Sequence, residues 1–268
     1  MNNELLLNEN ELKRCQKLIE NSVKKIVAEN GSKGVVLGLS GGVDSSVVLK
    51  LAYNSGTDVY ALILPEESVT RMDDVRDAED LAKNLGVKYS IIQINPILES
   101  IEKNFPWNKF SAERKQISWG NVKARIRMVL NYLVSNIDNR IVLGTGNKTE
   151  ILLGYTTKYG DNAVDIQPIG DLYKTQVKQL AEYLKIPKGI IEKEPSAGLW
   201  KGQTDEGELG ASYEEIDKIL FYLIDKKFSA GEISYKVGVD SELIKKISEM
   251  VEKNRHKRMV PRITRLFD

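Results

Sequence analysis

The sequence predicts an α/β fold, a Rossmann-like parallel sheet flanked by helices on both faces, and three observations predict it. Short apolar, β-branched runs alternate with stretches of helical periodicity. The first such run, GVVLGL at residues 34–39, is apolar throughout rather than alternating, as a strand buried on both faces of a parallel sheet must be. That run leads straight into a glycine- and serine-rich turn and then a helical stretch, the strand–turn–helix step of doubly wound sheets.

The elements follow in order. Leu12, Leu18, Ile19, Val23, Ile26 and Val27 recur at helical spacing, so residues 9–29 read as an amphipathic helix ended by Asn30-Gly31. After strand 34–39 and the turn comes a helix over 47–53. A strand is expected at 59–64, a charged helix at about 70–84 and a third strand at 89–94. A helix over about 118–135, with Val122, Ile126, Val129 and Leu133 as its apolar residues, precedes a fourth strand at 141–143. Residues 165–169 followed by a helix over 175–184 read as one more β-α step, with right-handed crossovers throughout. Beyond Ser212 the pattern is helical, with Ile216, Ile219, Leu220 and Leu223 on one face and Leu243, Ile244, Ile247, Met250 and Val251 on another.

Composition narrows the function. A chain of 268 residues that is 41% hydrophobic can bury one sizeable core, and a single domain over 1–268 is expected. Its 39 basic and 38 acidic residues leave a formal charge of +1, which gives no overall field to attract nucleic acid or an anionic membrane. Any anion site must be local. The single cysteine, Cys15, falls at an apolar helical position with Leu12, Leu18 and Ile19 and reads as core packing. No apolar run reaches the ~18 residues of a spanning helix, and the start MNNELLLNENE lacks the plan of a signal peptide, so a cytoplasmic enzyme without membrane or nucleic-acid partners is expected. The segment 194–210 is the one that reads as a mobile loop.

The turn after the first strand, Ser40-Gly41-Gly42-Val43-Asp44-Ser45-Ser46, is a device for holding phosphate. Glycines let the backbone turn sharply, and a helix N-terminus offers unpaired N–H donors with a partial positive charge. Asp44 would repel a bare phosphate, so its presence predicts magnesium between it and the phosphate oxygens. No Gly-Lys-Ser/Thr follows, and the pattern is not GxGxxG. A plain helix-capping turn, with Asp44 or Ser45 as cap, would not require adjacent glycines between serines and an aspartate.

SGGVDSS resembles the pyrophosphate loop of the N-type ATP pyrophosphatases, of adenine nucleotide alpha hydrolase-like fold, which split ATP between its α and β phosphates. Further along, GTGNKTE (144–150), GYTTKYGD (154–161), DIQP (165–168), KTQV (174–177), PSAGLW (195–200) and DEGELG (205–210) resemble, in order, signatures of ammonia-dependent NAD synthetases. The resemblance implies ATP-dependent amidation of deamido-NAD to NAD through an adenylated intermediate, with AMP and pyrophosphate released. It implies ATP binding by Gly38, Leu39, Ser40, Gly41, Gly42, Val43, Asp44, Ser45, Ser46, Thr145, Lys174 and Ser196. Magnesium would be held by Asp44 and Glu150, and deamido-NAD by Arg125, Lys158, Asp165, His256 and Lys257. No covalent nucleophile is implied; Lys174 and magnesium would stabilise charge. A homodimer with deamido-NAD at the subunit interface is implied as well.

Several bacterial members of that family carry Asp-His where this chain has Gly146-Asn147, so roles of those side chains do not transfer. The chain has neither the extra length nor a suitably placed cysteine for a glutaminase, so free ammonia is the expected donor. Taken without the resemblance, Arg125 reads as a polar-face arginine, Lys174 as a solvated first-turn residue, and His256 as a charge near a helix C-terminus. Asp205, Glu206 and Glu208 read as solvated loop carboxylates. Two rival functions stand beside the first: another adenylating ATP pyrophosphatase, and a regulator that binds ATP without turnover.

Overall fold

The structure, a computed structural model, describes residues 4–111 and 113–266. Asn8 opens α1 (Glu9–Glu29) with a capping box, accepting from the Glu11 N–H while the Glu11 carboxylate accepts from its own. There follow β1 (Gly34–Gly38), α2 (Val43–Asn54), β2 (Val59–Ile63), α3 (Met72–Leu85), β3 (Lys88–Ile91), α4 (Asn95–Asn104), α5 (Lys115–Asp138) and β4 (Arg140–Leu143). The remainder is helical: α6 (Lys148–Leu153), α7 (Lys174–Tyr183), α8 (Lys188–Ile191), α9 (Asp205–Leu209), α10 (Tyr213–Leu220), α11 (Ala230–Val237) and α12 (Ser241–Lys253).

The four strands form one parallel sheet in the order β3-β2-β1-β4. Leu37 of β1 is in register with Ala61 of β2 on one side and Leu143 of β4 on the other. Because side chains alternate along a strand, β1 feeds two cores. Val35 and Leu37 pack with Val23 of α1, Val47 and Leu51 of α2 and Leu180 of α7. Val36 joins Leu62, Val142, Ile94, Leu98 of α4 and Ile126 of α5 on the opposite face. Each such side chain contributes roughly 1.5–3 kcal/mol by leaving water. A third apolar centre joins Tyr213, Ile216, Ile219, Ile244 and Ile247 of the C-terminal helices to Leu153 of α6 and Tyr173 before α7. The helices after the sheet are thereby fastened to the segments that follow β4. No helix among the described residues is long and apolar enough to cross a membrane.

Three expectations need correction. Residues 165–169 do not form a strand: Ile166 makes a single parallel bridge to Leu143, the Asp165 carboxylate takes the Val142 N–H at 2.7 Å, and Pro168 has no N–H to continue a ladder. Leu18 is 57% exposed although Cys15 and Ile19 beside it pack against the core. On α5, Val129 and Leu133 face outward while Ile126 is buried. Periodicity locates a stripe but does not say which stripe the core uses.

Candidate active site

In the strand order β3-β2-β1-β4, the chain leaves β1 toward β2 on one side and returns to β4 on the other. The carboxyl ends of β1 and β4 therefore flank the switch point where such sheets bind ligands. The turn 40–46 lies at the first of these ends, and Thr145, Asn147 and Glu150 lie just beyond the second.

Gly42 is the N-cap of α2 and receives no side-chain capping bond, so neither Asp44 nor Ser45 is occupied with capping. The Ser45 and Ser46 hydroxyls donate back to the Gly42 carbonyl at 3.1 and 2.8 Å, and the Ser40 and Ser45 hydroxyls lie 3.0 Å apart. Gly41 has φ +80°, and a Cβ there would meet the Asp74 carbonyl oxygen of α3 at 2.1 Å. Only glycine permits that conformation and that approach. Lys193 fastens the same turn, donating to the Gly41 carbonyl at 3.2 Å and to Asp74 Oδ1 at 2.7 Å.

Asp44 projects from the first turn of α2 into a buried charge cluster. Its Oδ2 accepts from Lys174 Nζ, and its Oδ1 accepts from Asn147 Nδ2 at 3.1 Å. The Lys174 ammonium also lies 3.9 Å from Glu150 Oε1 and 5.3 Å from the centre of the Tyr213 ring. Asn147 and Glu150 form the capping box of α6, Asn147 Oδ1 accepting from the Glu150 N–H at 3.0 Å and Glu150 Oε2 from the Asn147 N–H at 3.2 Å. Burial first, then the charge of Asp44, pushes the Glu150 carboxyl up to about 8 against the pull of Lys174. Burial disfavours the charge on Lys174, but Asp44 and Glu150 together hold its pKa above the ordinary lysine value.

Two crowded carboxyl groups suit a small divalent cation, whose charge would favour their ionised forms, and magnesium commonly takes only one or two protein carboxylates, filling its octahedron with water and substrate phosphate. Among the described residues no group of three or more His, Cys, Asp or Glu is placed to hold a metal.

The segment 194–210 lies over the cluster. Asp205, 3% exposed, accepts from the Tyr213 hydroxyl at 2.9 Å and from the Ala197 N–H at 2.9 Å. Ser196 donates to the Gln203 carbonyl at 2.7 Å, closing a turn. Lys123 of α5 donates to Glu66 Oε2 at 3.0 Å and to the Leu199 carbonyl at 2.9 Å, so a buried ion pair holds this segment to the sheet's far side.

The other sequence-selected residues lie elsewhere. Lys158 and His256 line one cavity of about 440 Å³ together with Lys253, Arg255 and Arg262. Arg125 is exposed on α5 and donates to the Lys158 carbonyl at 3.0 Å. Lys257 donates to the carbonyls of Gly154 and Thr156 at 2.6 and 2.8 Å and so shapes the chain between α6 and that cavity. Asp165 accepts from the Tyr132 hydroxyl at 3.1 Å as well as from Val142. Both charges are thus bonded to the protein itself. Sequence reasoning missed Asn147, although its spacing to Glu150 is a capping-box pattern, and missed Thr149, Tyr213 and Asp217, whose signals are indistinguishable from ordinary helix positions.

A family model described as NAD synthase matches residues 15–261. The chain is 50% identical to the NH(3)-dependent NAD(+) synthetase of Archaeoglobus fulgidus over 92% of its own length and 94% of the relative's. Among solved structures it resembles the NMN synthetase of Francisella tularensis, with a TM-score of 0.83, 36% identity and coverage of 96% of this chain and 99% of that one. It also resembles the NH3-dependent NAD synthetase of Campylobacter jejuni in complex with the nitrate ion, with a TM-score of 0.78, 33% identity and coverage of 95% and 99%.

Proposed function

The chain belongs to the NAD synthase family, and on that premise we propose that it uses ATP and free ammonia to amidate deamido-NAD to NAD. The single observation that carries the reading is the cluster of Asp44, Lys174 and Glu150, tied through Asn147 to the phosphate turn at the switch point. A regulator that only binds ATP has no need of two crowded carboxylates around a buried lysine.

Asp44 and Glu150 would hold magnesium, which supplies charge neutralisation on the phosphate oxygens. The nicotinate carboxylate attacks the α-phosphorus, a P–O bond to the β-phosphate breaks, and pyrophosphate leaves. Lys174 and the first amides of α2 offset the negative charge that accumulates there. Ammonia then adds to the activated carbonyl carbon, the C–O bond to AMP breaks, and one proton passes to solvent. Gly38 to Ser46, Thr145 and Ser196 bound the ATP side, while Lys158 and His256, in their basic cavity, suit the pyrophosphate or carboxylate of the dinucleotide. No covalent nucleophile is required, because positioning two anionic reactants is itself a large rate factor.

A second copy of the chain fits this reading. Arg125, Val129, Leu133 and Ile137 recur every fourth residue along α5 and are all exposed, the last at 77%. An apolar stripe on one helix edge beside a substrate arginine suits a homodimer whose interface adjoins the dinucleotide site. Residues 1–268 then act as one catalytic unit in a cytoplasmic enzyme.

The test is incubation with ATP, magnesium, ammonium and deamido-NAD, omitting one component at a time, with NAD, AMP and pyrophosphate quantified. Equal amounts of all three, each requiring deamido-NAD, are expected. ATP binding without pyrophosphate release would overturn the reading in favour of a regulator. Because one structural relative is an NMN synthetase, nicotinate mononucleotide is the second acceptor to try; its faster amidation would overturn the choice of dinucleotide.

A further inference from the structure

Asp217 lies on α10, fully buried at 0% exposure and with no cation bonded to it among the described residues. Removing a carboxylate from water without a counter-charge is costly unless its oxygens are filled by hydrogen bonds. Both are. Its Oδ1 accepts from the Thr149 hydroxyl at 2.5 Å, and its Oδ2 accepts from the Thr175 N–H at 2.8 Å. The Thr149 oxygen in turn accepts from the Lys174 N–H at 3.0 Å. The first two amides of α7, which have no partner inside their own helix, are thereby answered from α6 and α10.

The neighbours of those bonds matter. Thr149 immediately precedes Glu150, and Thr175 immediately follows Lys174, so one carboxylate ties the backbones of the two opposed charges to each other. One helical turn earlier on α10, Tyr213 sets its ring 5.3 Å from the Lys174 ammonium and donates its hydroxyl to Asp205. A local serine or threonine cap would satisfy the start of α7 without burying a charge. It would not connect α7 to Glu150.

We propose that Asp217 is a positioning residue for the amidation reaction, fixing Lys174 against Glu150 through Thr149 and the first turn of α7. This rests on the synthetase reading above. Asp217 is fully buried, so a displaced lysine would leave the phosphate turn and the basic cavity in place to bind the two nucleotides, but would no longer meet the charge that develops on the phosphates. Loss should therefore fall on kcat.

Thr149→Val removes the relay at nearly constant volume, and Asp217→Ala removes both acceptors. Asp217→Asn keeps an acceptor for Thr175 and can donate to the Thr149 oxygen. Thr149→Val, and Asp217→Ala if it folds, should lose 10-fold or more in kcat, with KM for ATP and deamido-NAD changed less than about 3-fold, and Asp217→Asn should recover most of the loss. Hydrogen exchange at the Lys174 and Thr175 amides should quicken in Thr149→Val while the rest of α10 keeps its protection. A folded Thr149→Val with kcat within 2-fold of wild type, a loss carried by KM, an Asp217→Asn as impaired as Asp217→Ala, or unchanged exchange at Lys174 would each overturn the role. Wild-type protein that makes no NAD would instead refute the synthetase reading, and the exchange measurement would still decide whether Asp217 and Thr149 hold Lys174.

Discussion

Replacing Gly41 by alanine should disable the phosphate turn while leaving the fold intact, and the structure sets the size of the effect. Two penalties act at this position. The left-handed backbone, φ +80°, costs a non-glycine residue about 1–2 kcal/mol. Separately, the new Cβ would lie 2.1 Å from the Asp74 carbonyl oxygen, where real Cβ atoms stay beyond 3.0 Å. That oxygen belongs to the backbone of α3 and cannot swing aside, so the turn must retreat by about 1 Å, a misplacement that can cost on the order of 100-fold in rate. Gly56 supplies the control. Its φ is +76°, yet a Cβ there meets nothing within 4 Å, so Gly56→Ala carries the first penalty without the second. Gly56→Ala should lose about 1–2 kcal/mol in urea unfolding, and Gly41→Ala at least as much, because it carries the clash as well. Only Gly41→Ala should lose about 100-fold in kcat/KM, read as NAD formed at saturating magnesium. Equal turnover in the two variants would refute the argument that close approach to Asp74 places the turn.

Other consequences can be checked alongside. The Glu150 carboxyl titrates above its usual 4.5, at about 8, so the native state binds more protons than the unfolded one between those values and stability falls as pH rises through that window. Glu150→Gln should flatten the dependence of Tm on pH there and exceed wild type at its alkaline end, while abolishing turnover; parallel Tm curves would contradict the buried repulsion. Lys123→Met leaves Glu66 buried without its partner and should cost about 3–5 kcal/mol, with faster proteolysis within residues 195–204; unchanged cleavage would show that the ion pair does not hold that segment. Leu133→Glu on the α5 stripe should sediment as a 30.2 kDa monomer, whereas Leu18→Glu, equally exposed on α1, should keep the wild-type mass. A wild-type protein that is itself monomeric would remove the case for the dimer.

The sheet was readable because its strands are short, apolar and separated by helical periodicity, and all four lie within a few residues of their expected limits. The false fifth strand shows what pattern cannot see. Ile166 and Ile169 look like strand residues, but the Val142 N–H donates to the Asp165 side chain rather than to a strand carbonyl, a tertiary choice that no window of sequence contains. The same holds at the site. Asp44 was expected at the site from its place in the turn, Glu150 and Lys174 only from the family resemblance, and the structure brings the three side chains together. Lys174 could not be distinguished by position alone from a solvated lysine, because its exposure of only 3% is decided by helices α6 and α10, distant in the chain. Asn147 was legible only as half of a capping box; that its amide also reaches Asp44 depends on the β1–β4 pairing. Asp205 reads as an ordinary loop carboxylate until Tyr213 is folded over it.

The edge of the sheet at β4 has a further consequence. An outermost strand normally presents free N–H and C=O groups that can recruit a strand from another molecule. Here the Arg140 carbonyl is taken by the Ser135 hydroxyl, both backbone groups of Val142 are taken by Asp165, and the Gly144 N–H is taken by the Ile166 carbonyl. A few atoms of loop and one carboxylate thus do the work of a terminating strand. The fold is closed on that side against templated aggregation, and this protection depends on Asp165, whose loss would reopen a sticky edge even in a protein that still folds.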